Sequence, residues 1–348
     1  MRFRQIQFND MRSTQCFSTI FLFNAILLPI HCMAIISMLK WKTTGFLLAD
    51  FIQITSKQSL YLAVMTGGAR GVLLQNLYDL YINKLLFSHY FTTVKFYGMG
   101  KLLLENDIIQ SMYVDCPVWP DDISRNHLCG KFIIAIRDFI YNSTCWWFLR
   151  ICDDAIMNWD AFLPFYQDLN KQINPLNDRF VQGDCIYKPD KNYAYLQGGS
   201  GYILSKYSAI EFEKDHLHFK RGCDIIKHDD RAFGLWLFRS NYSRREIASR
   251  FFVGHQFQGY NQLIDLLSNT STFPDCQVIK NRQSWRICRP FFTNLKNVVV
   301  WHEKIKSKEF FPLAKTFFSQ LPNNLYFFQN SHKGEVCQSE YNIEGFWD

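Results

Sequence analysis

The chain has 348 residues, of which 48% are hydrophobic and 20% charged. This balance excludes a disordered or low-complexity protein and allows one large or two modest domains. The net charge is +7, but the sequence contains no run of five or six like charges, so no nucleic-acid partner is expected.

An uncharged stretch near the amino end, residues 16–39, has the length needed to cross a bilayer as a helix. Arginines precede it, which favours a cytoplasmic tail over residues 1–15. We therefore predict a signal anchor followed by a polar stem, residues 40–57, with the rest of the chain in the lumen. A cleaved signal peptide and a buried globular helix are the alternatives.

Cysteines and glycosylation motifs agree with a lumenal body. Nine of the 11 cysteines follow the apolar stretch, and none shows the paired CxxC spacing of a zinc site. Asn-X-Ser/Thr triplets begin at Asn142, Asn241 and Asn269, where glycosylation is expected, although such triplets also arise by chance.

The body opens with the pattern of a βαβ unit. An apolar run at 60–66 predicts a strand, the next residues have helical spacing, and 92–98 predicts a second strand. A right-handed crossover and a mainly parallel sheet follow from this order.

An amphipathic helix over 131–142 leads into CWWFLRICDD, which predicts a central strand buried on both faces. Asp153 and Asp154 come where that strand ends, and ligand crevices of open α/β sheets lie at the carboxyl ends of strands. A helix should begin near Asp160. Residues 58–290 are predicted to be one catalytic domain, with a C-terminal extension over 291–348.

Several side chains are candidates for chemistry. Asp153 and Asp154 could hold a hard divalent cation, or could simply cap a helix. Gly198, Gly199, Ser200 and Gly201 allow close backbone approach to a ligand, or form a tight structural turn.

Two further candidates follow. Asp229 and Asp230 precede an apolar helical face, where a carboxylate could act as general base or as a helix cap. His255 could ligate a metal through a neutral imidazole, or could be a structural histidine.

The order of these motifs resembles the Fringe-like family of β1,3-glycosyltransferases. LCGKFIIAIRDFIYNSTCWWFLRICDDAIMNWDAF (128–162) is similar to the family's Cys-Lys helix, Trp-Phe pair and acids. YLQGGSGYILSK (195–206) resembles its Gly-Gly-Ala-Gly-Tyr loop, DDRAFG (229–234) its acidic pair with a following glycine, and LAVMTGGARG (62–71) its first strand and arginine.

The resemblance implies a GT-A-like α/β domain behind an N-terminal transmembrane helix. It also implies a UDP-sugar donor, Mn²⁺ or another divalent cation, a glycoprotein or glycan acceptor, and a type II Golgi or ER membrane protein; a homodimer is compatible with it. The residue roles carried over are Asp154 and His255 for the metal; Asp153, Thr66 and Arg70 for the donor nucleotide; Asp230 as base; Gly198–Gly201 and Trp147 for the substrate cleft; and Cys116 paired with Cys129 in a disulfide.

One departure from the family pattern concerns the acids. Cys152 stands where the family has the first of three, and the family's acidic motif after the second strand is absent from 96–101. The favoured hypothesis is an inverting hexosyltransferase with Asp230 as base. The alternatives are an inactive Fringe-like lumenal binding protein and a membrane-anchored metal-dependent hydrolase.

Overall fold

The computed structural model describes residues 59–67, 71–82, 92–117, 127–188, 193–254, 288, 291–302, 318–321, 323–329 and 335–338. These residues all belong to one unit, Ser56–Asp348. The predicted tail and anchor lie outside them. Among the helices that are described, none combines the length and apolarity required to cross a membrane.

Strands and helices alternate through the first half of this unit. The strands are β1 (Leu60–Met65), β2 (Thr92–Gly98), β3 (Tyr113–Asp115), β4 (Trp147–Cys152), β5 (Ala155–Met157), β6 (Val181–Gly183), β7 (Cys185–Lys188), β8 (Tyr193–Leu196), β9 (Tyr202–Ser205), β10 (Phe252–Gly254), β11 (Phe291–Asn294), β12 (Val300–His302), β13 (Leu325–Gln329) and β14 (Glu335–Gln338). The α-helices are α1 (Gly71–Leu77), α2 (Asp107–Met112), α3 (Leu128–Asn142), α4 (Trp159–Gln172), α5 (Lys206–Lys214), α6 (His216–Ile226), α7 (Asp229–Arg239) and α8 (Arg244–Ile247).

The central sheet has the strand order β3-β2-β1-β4-β9-β6. The pairs β3-β2, β2-β1 and β1-β4 are parallel, whereas β9 runs antiparallel to both β4 and β6. The prediction of a mixed α/β domain with a mainly parallel sheet is therefore confirmed. The strand at 92–98 was predicted with its observed bounds, the strand at 60–66 to within one residue and the helix at 131–142 to within three.

Alternation along β1 places the sheet between two apolar layers. Leu60, Leu62 and Val64 belong to one core cluster, while Tyr61 and Ala63 belong to the other. All six residues of β1 are buried, as expected for a parallel strand covered on both faces. Helices α3, α5, α6 and α7 contribute to the second cluster, and α4 to the first.

A small second sheet, ordered β10-β12-β5, packs into the first cluster. Its central strand comes from residues 300–302, within the segment predicted as a C-terminal extension. Val300 pairs with Met157 and His302 with Ala155, so this late strand lies beside the residues that immediately follow β4. The turn between β4 and β5 is thereby fixed to a distant part of the chain.

The disulfide predicted between Cys116 and Cys129 is wrong. Cys129, in the first turn of α3, is bonded to Cys223 of α6, and Cys185 is bonded to Cys288. Cys116 is a buried free thiol, and burial raises its pKa to about 12. The prediction failed because α6 packs on α3 in the second apolar layer and brings Cys223 to Cys129.

Candidate active site

The site lies where the order of the central strands reverses. Strand β2 follows β1 on one side, whereas β4, the next long strand, lies on its other side. Such a reversal leaves a crevice outside the carboxyl ends of the two strands. Here the crevice is formed by residues after Met65 and Cys152, and the Asp153 N–H donates to the Met65 carbonyl at 3.0 Å.

Asp153 and Asp154 form the turn between β4 and β5. Asp153 is buried, and its Oδ2 accepts the Gly67 N–H at 3.3 Å, which links the ends of the two strands. The Asp154 side chain is 39% exposed. Neither aspartate caps a helix, since Asn158 caps α4 and accepts the Ala161 N–H at 3.3 Å.

His302 contacts Asp154. Its Nε2 lies 3.2 Å from Asp154 Oδ1, while its Nδ1 is buried without a hydrogen-bond partner in the described part of the chain. The register of β12 against β5 sets this contact, because His302 pairs with Ala155, the neighbour of Asp154. His255, the histidine predicted as metal ligand, lies outside the described residues, as does Arg70.

The Gly198–Gly201 loop packs against both β4 and His302. A Cβ at Gly199 would lie 2.1 Å from His302 Cε1, so only a residue without a side chain fits there. Gly201 has φ of +76° and closes a turn by donating its N–H to the Gly198 carbonyl at 3.2 Å. The loop is therefore a tight turn and also a wall of the crevice, and Gly199 is its most accessible residue.

A buried ion pair joins β4 to the start of α7. Arg150 and Asp229 have side chains that are 1% and 5% exposed, and Arg150 Nη2 lies 2.7 Å from Asp229 Oδ2. Arg150 Nη1 donates to the Gly198 carbonyl, and the guanidinium lies over the Tyr202 ring at 5.5 Å. One side chain thus contacts the strand, the loop and the helix of the site.

Asp230 is the second acid at the start of α7. Its Oδ1 accepts the Arg231 N–H at 2.7 Å and its Oδ2 accepts the Gly198 N–H at 3.5 Å. Burial and the neighbouring charge of Asp229 raise the pKa of Asp230, whereas Arg150 lowers it. A carboxylate with a raised pKa is well suited to accept a proton near neutral pH.

Cys152 does not replace the missing acid electrostatically. Its Sγ lies 3.6 Å from the Gly198 carbonyl, and burial raises the pKa of the thiol, which therefore stays neutral at pH 7. The site consequently holds one negative charge fewer than a sequence with three successive acids.

Thr66 directly follows β1 and is fully buried. Its N–H donates to the Tyr97 carbonyl at 3.0 Å, and its carbonyl accepts from Lys131 Nζ at 2.8 Å. Thr66 therefore lies at the same end of the sheet as Asp153, with its backbone hydrogen-bonded to β2 and α3.

Three residues predicted to line the cleft are buried, so within the Gly198–Gly201 loop the crevice is bordered by Gly199. Trp147 starts β4, at the end of the strand away from the crevice. It is fully buried, and its Nε1 donates to Asn170 Oδ1 at 2.8 Å. Ser200 is also buried and donates to the Gln197 carbonyl at 3.0 Å, while Gly201 serves the turn. A large aromatic side chain at a strand's start packs in the core, because only the strand's end borders the crevice.

Of the predicted glycosylation sites, Asn142 ends α3 and Asn241 follows α7, and both are exposed. Asn269 lies outside the described residues.

Asp154 and His302 fit part of a divalent-cation site. A carboxylate oxygen and an imidazole nitrogen are both ligand types that Mn²⁺ accepts, and His302 Nδ1 has no hydrogen-bond partner among the described residues. Among the described residues, no group of three His, Cys, Asp or Glu side chains gathers at one point. The pair matches sites in which one or two carboxylates hold a cation together with substrate phosphates.

Two residues of the site were missed by the sequence analysis. Arg150 is the one charge inside the run WWFLRIC, and a charge within a buried strand predicts a buried partner. His302 ends the apolar run VVVWH, so the strand-end argument applied to Asp153 would also have selected it.

Comparisons with known proteins identify no family. No protein-family model matches the sequence, and no curated protein matches it. Among solved structures, the chain is similar to the galactosyltransferase LgtC in complex with donor and acceptor sugar analogs, with a TM-score of 0.38 and 11% identity. An active-site mutant of LgtC gives a TM-score of 0.35 and 12% identity; each alignment covers 76% of this chain and 97% of the other.

Proposed function

We propose that the chain is an inverting UDP-sugar-dependent glycosyltransferase of the Fringe-like type. The observation that carries this proposal is the convergence, at the end of β4, of three motifs far apart in the sequence. Asp154 contacts His302, and Asp230 accepts the N–H of Gly198. Since Gly199 packs against His302, the Gly198–Gly201 loop borders both contacts, which supports a cation pair and a base in one site.

Asp230 would act as general base. Its carboxylate takes the proton of an acceptor hydroxyl as that oxygen attacks the anomeric carbon of the donor sugar. The new carbon–oxygen bond forms while the bond to the β-phosphate breaks, so UDP leaves and the anomeric configuration inverts. The raised pKa of Asp230 supports this role, because it brings the carboxyl closer to neutral pH.

Asp154 and His302 would hold the divalent cation, and Asp153 and Thr66 would form the donor side of the crevice. When bound, Mn²⁺ or a similar cation offsets the charge that builds on the leaving diphosphate. Asp153 would keep its position through the hydrogen bond from Gly67. The Asp154 side chain is 39% exposed, so substrate oxygens can approach it.

The donor hexose or N-acetylhexosamine, the β1,3 linkage and a glycoprotein glycan acceptor are parts of the same proposal, and they rest on the sequence resemblance. So do residence in the Golgi or ER membrane and a type II orientation. The Cys129–Cys223 and Cys185–Cys288 bonds support an oxidising compartment.

The test is UDP release by the full-length chain made in a secretory host. UDP-galactose, UDP-N-acetylglucosamine and UDP-glucose would each be offered with and without Mn²⁺, together with glycoprotein acceptors. We expect cation-dependent release that is lost in Asp154→Ala and kept in Asp168→Ala, a matched change at an exposed aspartate of α4.

Absence of UDP release from a folded wild-type chain would overturn the proposal. Cation-independent binding of glycans by that same chain would then support the inactive lumenal relative, which the replacement of an acid by Cys152 favours.

A further inference from the structure

We propose that Arg150 is a positioning residue that gives the two adjacent carboxylates Asp229 and Asp230 different roles. The inference rests on the proposed function, because it concerns how the base Asp230 is kept in place. Arg150 would bind Asp229 as a permanent partner and hold Gly198, which in turn donates to Asp230.

The contacts of Arg150 divide between the two terminal nitrogens of its guanidinium. Nη2 pairs with Asp229 Oδ2 at 2.7 Å, and Nη1 donates to the Gly198 carbonyl. A guanidinium presents several donors in a fixed plane and can serve both acceptors at once, whereas an ammonium group acts as a point charge. Gly198 must lack a side chain, since its Cβ would lie 2.6 Å from Nη1.

Gly198 links Arg150 to the base. Its carbonyl accepts from Arg150, and its N–H donates to Asp230 Oδ2 at 3.5 Å. Arg150 therefore reaches Asp230 through one glycine residue, and it reaches Asp229 directly. Asp229, engaged by a buried cation, is unavailable as a base, while Asp230 is only partly buried and its oxygens accept backbone N–H groups.

The charged and titratable groups around Asp230 come from several elements. Asp229 raises its pKa and Arg150 lowers it. Tyr195 of β8 and Tyr202 of β9 lie within the field of Asp230, and the Arg231 guanidinium lies over the Tyr195 ring at 5.8 Å. Because burial raises the pKa of both tyrosines, they stay neutral, and Arg150 and Asp229 dominate the charge balance.

This arrangement predicts opposite effects for two substitutions in the full-length chain. Arg150→Gln leaves Asp229 unneutralised beside Asp230, so the acid limb of the rate–pH profile should move up by about 1–3 pH units. Asp229→Asn removes a like charge and should move that limb down. In the double variant the two changes offset each other, and the limb should return toward the wild-type position.

A second readout does not depend on turnover. Hydrogen exchange of the peptide that contains Gly198 should accelerate in Arg150→Gln, which loses the Gly198 contact, and should change little in Asp229→Asn. Arg150→Lys keeps the charge and loses the fork, so it should accelerate exchange with the smallest shift of the acid limb.

If Arg150 served only to stabilise the fold, the variants would behave differently. Both single variants would then lose thermal stability and turnover in parallel, with no shift of the acid limb and no difference in loop exchange, and the proposal would be overturned. If the wild type releases no UDP, the exchange comparison still decides whether Arg150 holds the loop, so failure of the proposed function is recognised separately.

Discussion

The two ends of strand β4 differ in what surrounds them. At the amino end, Trp147 is enclosed by Tyr166 and Phe180, with ring centroids 6.4 and 5.5 Å away, and its only polar atom is hydrogen-bonded. At the carboxyl end, Asp154 is partly exposed and His302 has an orphaned nitrogen. The same strand therefore has an enclosed aromatic environment at its amino end and a partly exposed polar environment at its carboxyl end.

This difference shows that residue type alone does not identify a site, and that position along the strand matters more. Trp147 has the residue type expected of a sugar-binding surface, yet its place in the strand assigns it to the core. An aspartate pair such as Asp153 and Asp154 is common in proteins, and here its position after the strand places it at the crevice.

The largest effect is expected from removing the base at the carboxyl end. Asp230→Asn should lower turnover by about 10²–10⁴-fold, because the amide cannot take the acceptor proton. UDP release at saturating donor measures it. Asp224→Asn, on the exposed side of α6, is the matched control. Full turnover in Asp230→Asn would exclude the base assignment.

At the amino end, the expected effect is on stability. Trp147→Ala should lower the free energy of unfolding by about 3–5 kcal/mol, since it empties a fully packed position. Urea unfolding measures this loss, and Tyr141→Ala, at a ring that is 69% exposed, should cost far less. If the folded fraction of Trp147→Ala lost UDP release selectively, the contrast between the two ends would be wrong.

Two glycines allow the cost of backbone strain to be measured separately from the cost of a steric clash. Gly201 and Gly100 both have positive φ, but a Cβ at Gly201 would lie 2.3 Å from the Arg150 carbonyl, while one at Gly100 meets nothing within 4 Å. Gly100→Ala should cost about 1–2 kcal/mol from backbone strain alone. Gly201→Ala should cost clearly more and should also disturb the loop. Equal melting temperatures for the two variants would contradict the close packing of the loop.

The smallest effect concerns a polar cluster between strands β1 and β2 and helix α3. Tyr97 donates to Asp138 at 2.9 Å, and Tyr61 also donates to it. Although burial raises it, these hydrogen bonds bring the pKa of Asp138 below its usual value. The ionised form therefore adds stability that is present above the unfolded pKa and is lost as pH falls through the folded one.

Asp138→Asn should accordingly flatten the fall in stability that occurs as the pH drops below about 4, the unfolded value. The melting temperature followed across that range measures the change, with Asp168→Asn as the exposed control. An unchanged acid dependence would show that the cluster contributes nothing at low pH.

Periodicity and strand-end position predicted much of this molecule. The apolar run of β1 and the amphipathic pattern of α3 predicted a buried strand and the helix that covers it. Asp153 and Asp154 were correctly predicted to lie at a strand end. Neither pattern reports which distant segment packs alongside. The register of β12 against β5 brings His302 to Asp154, and the packing of α6 on α3 brings Cys223 to Cys129. Both contacts depend on tertiary packing between segments remote in the chain.

The contribution of β12 has a consequence for biosynthesis. Strands β1 and β4 lie within the first half of the chain, yet the histidine that completes the crevice is residue 302 of 348. A chain that grows from its amino end can pair the parallel strands early, but its crevice stays incomplete until the last seventh is being made. Premature termination before that point would therefore leave a sheet with its carboxylates and without their imidazole partner.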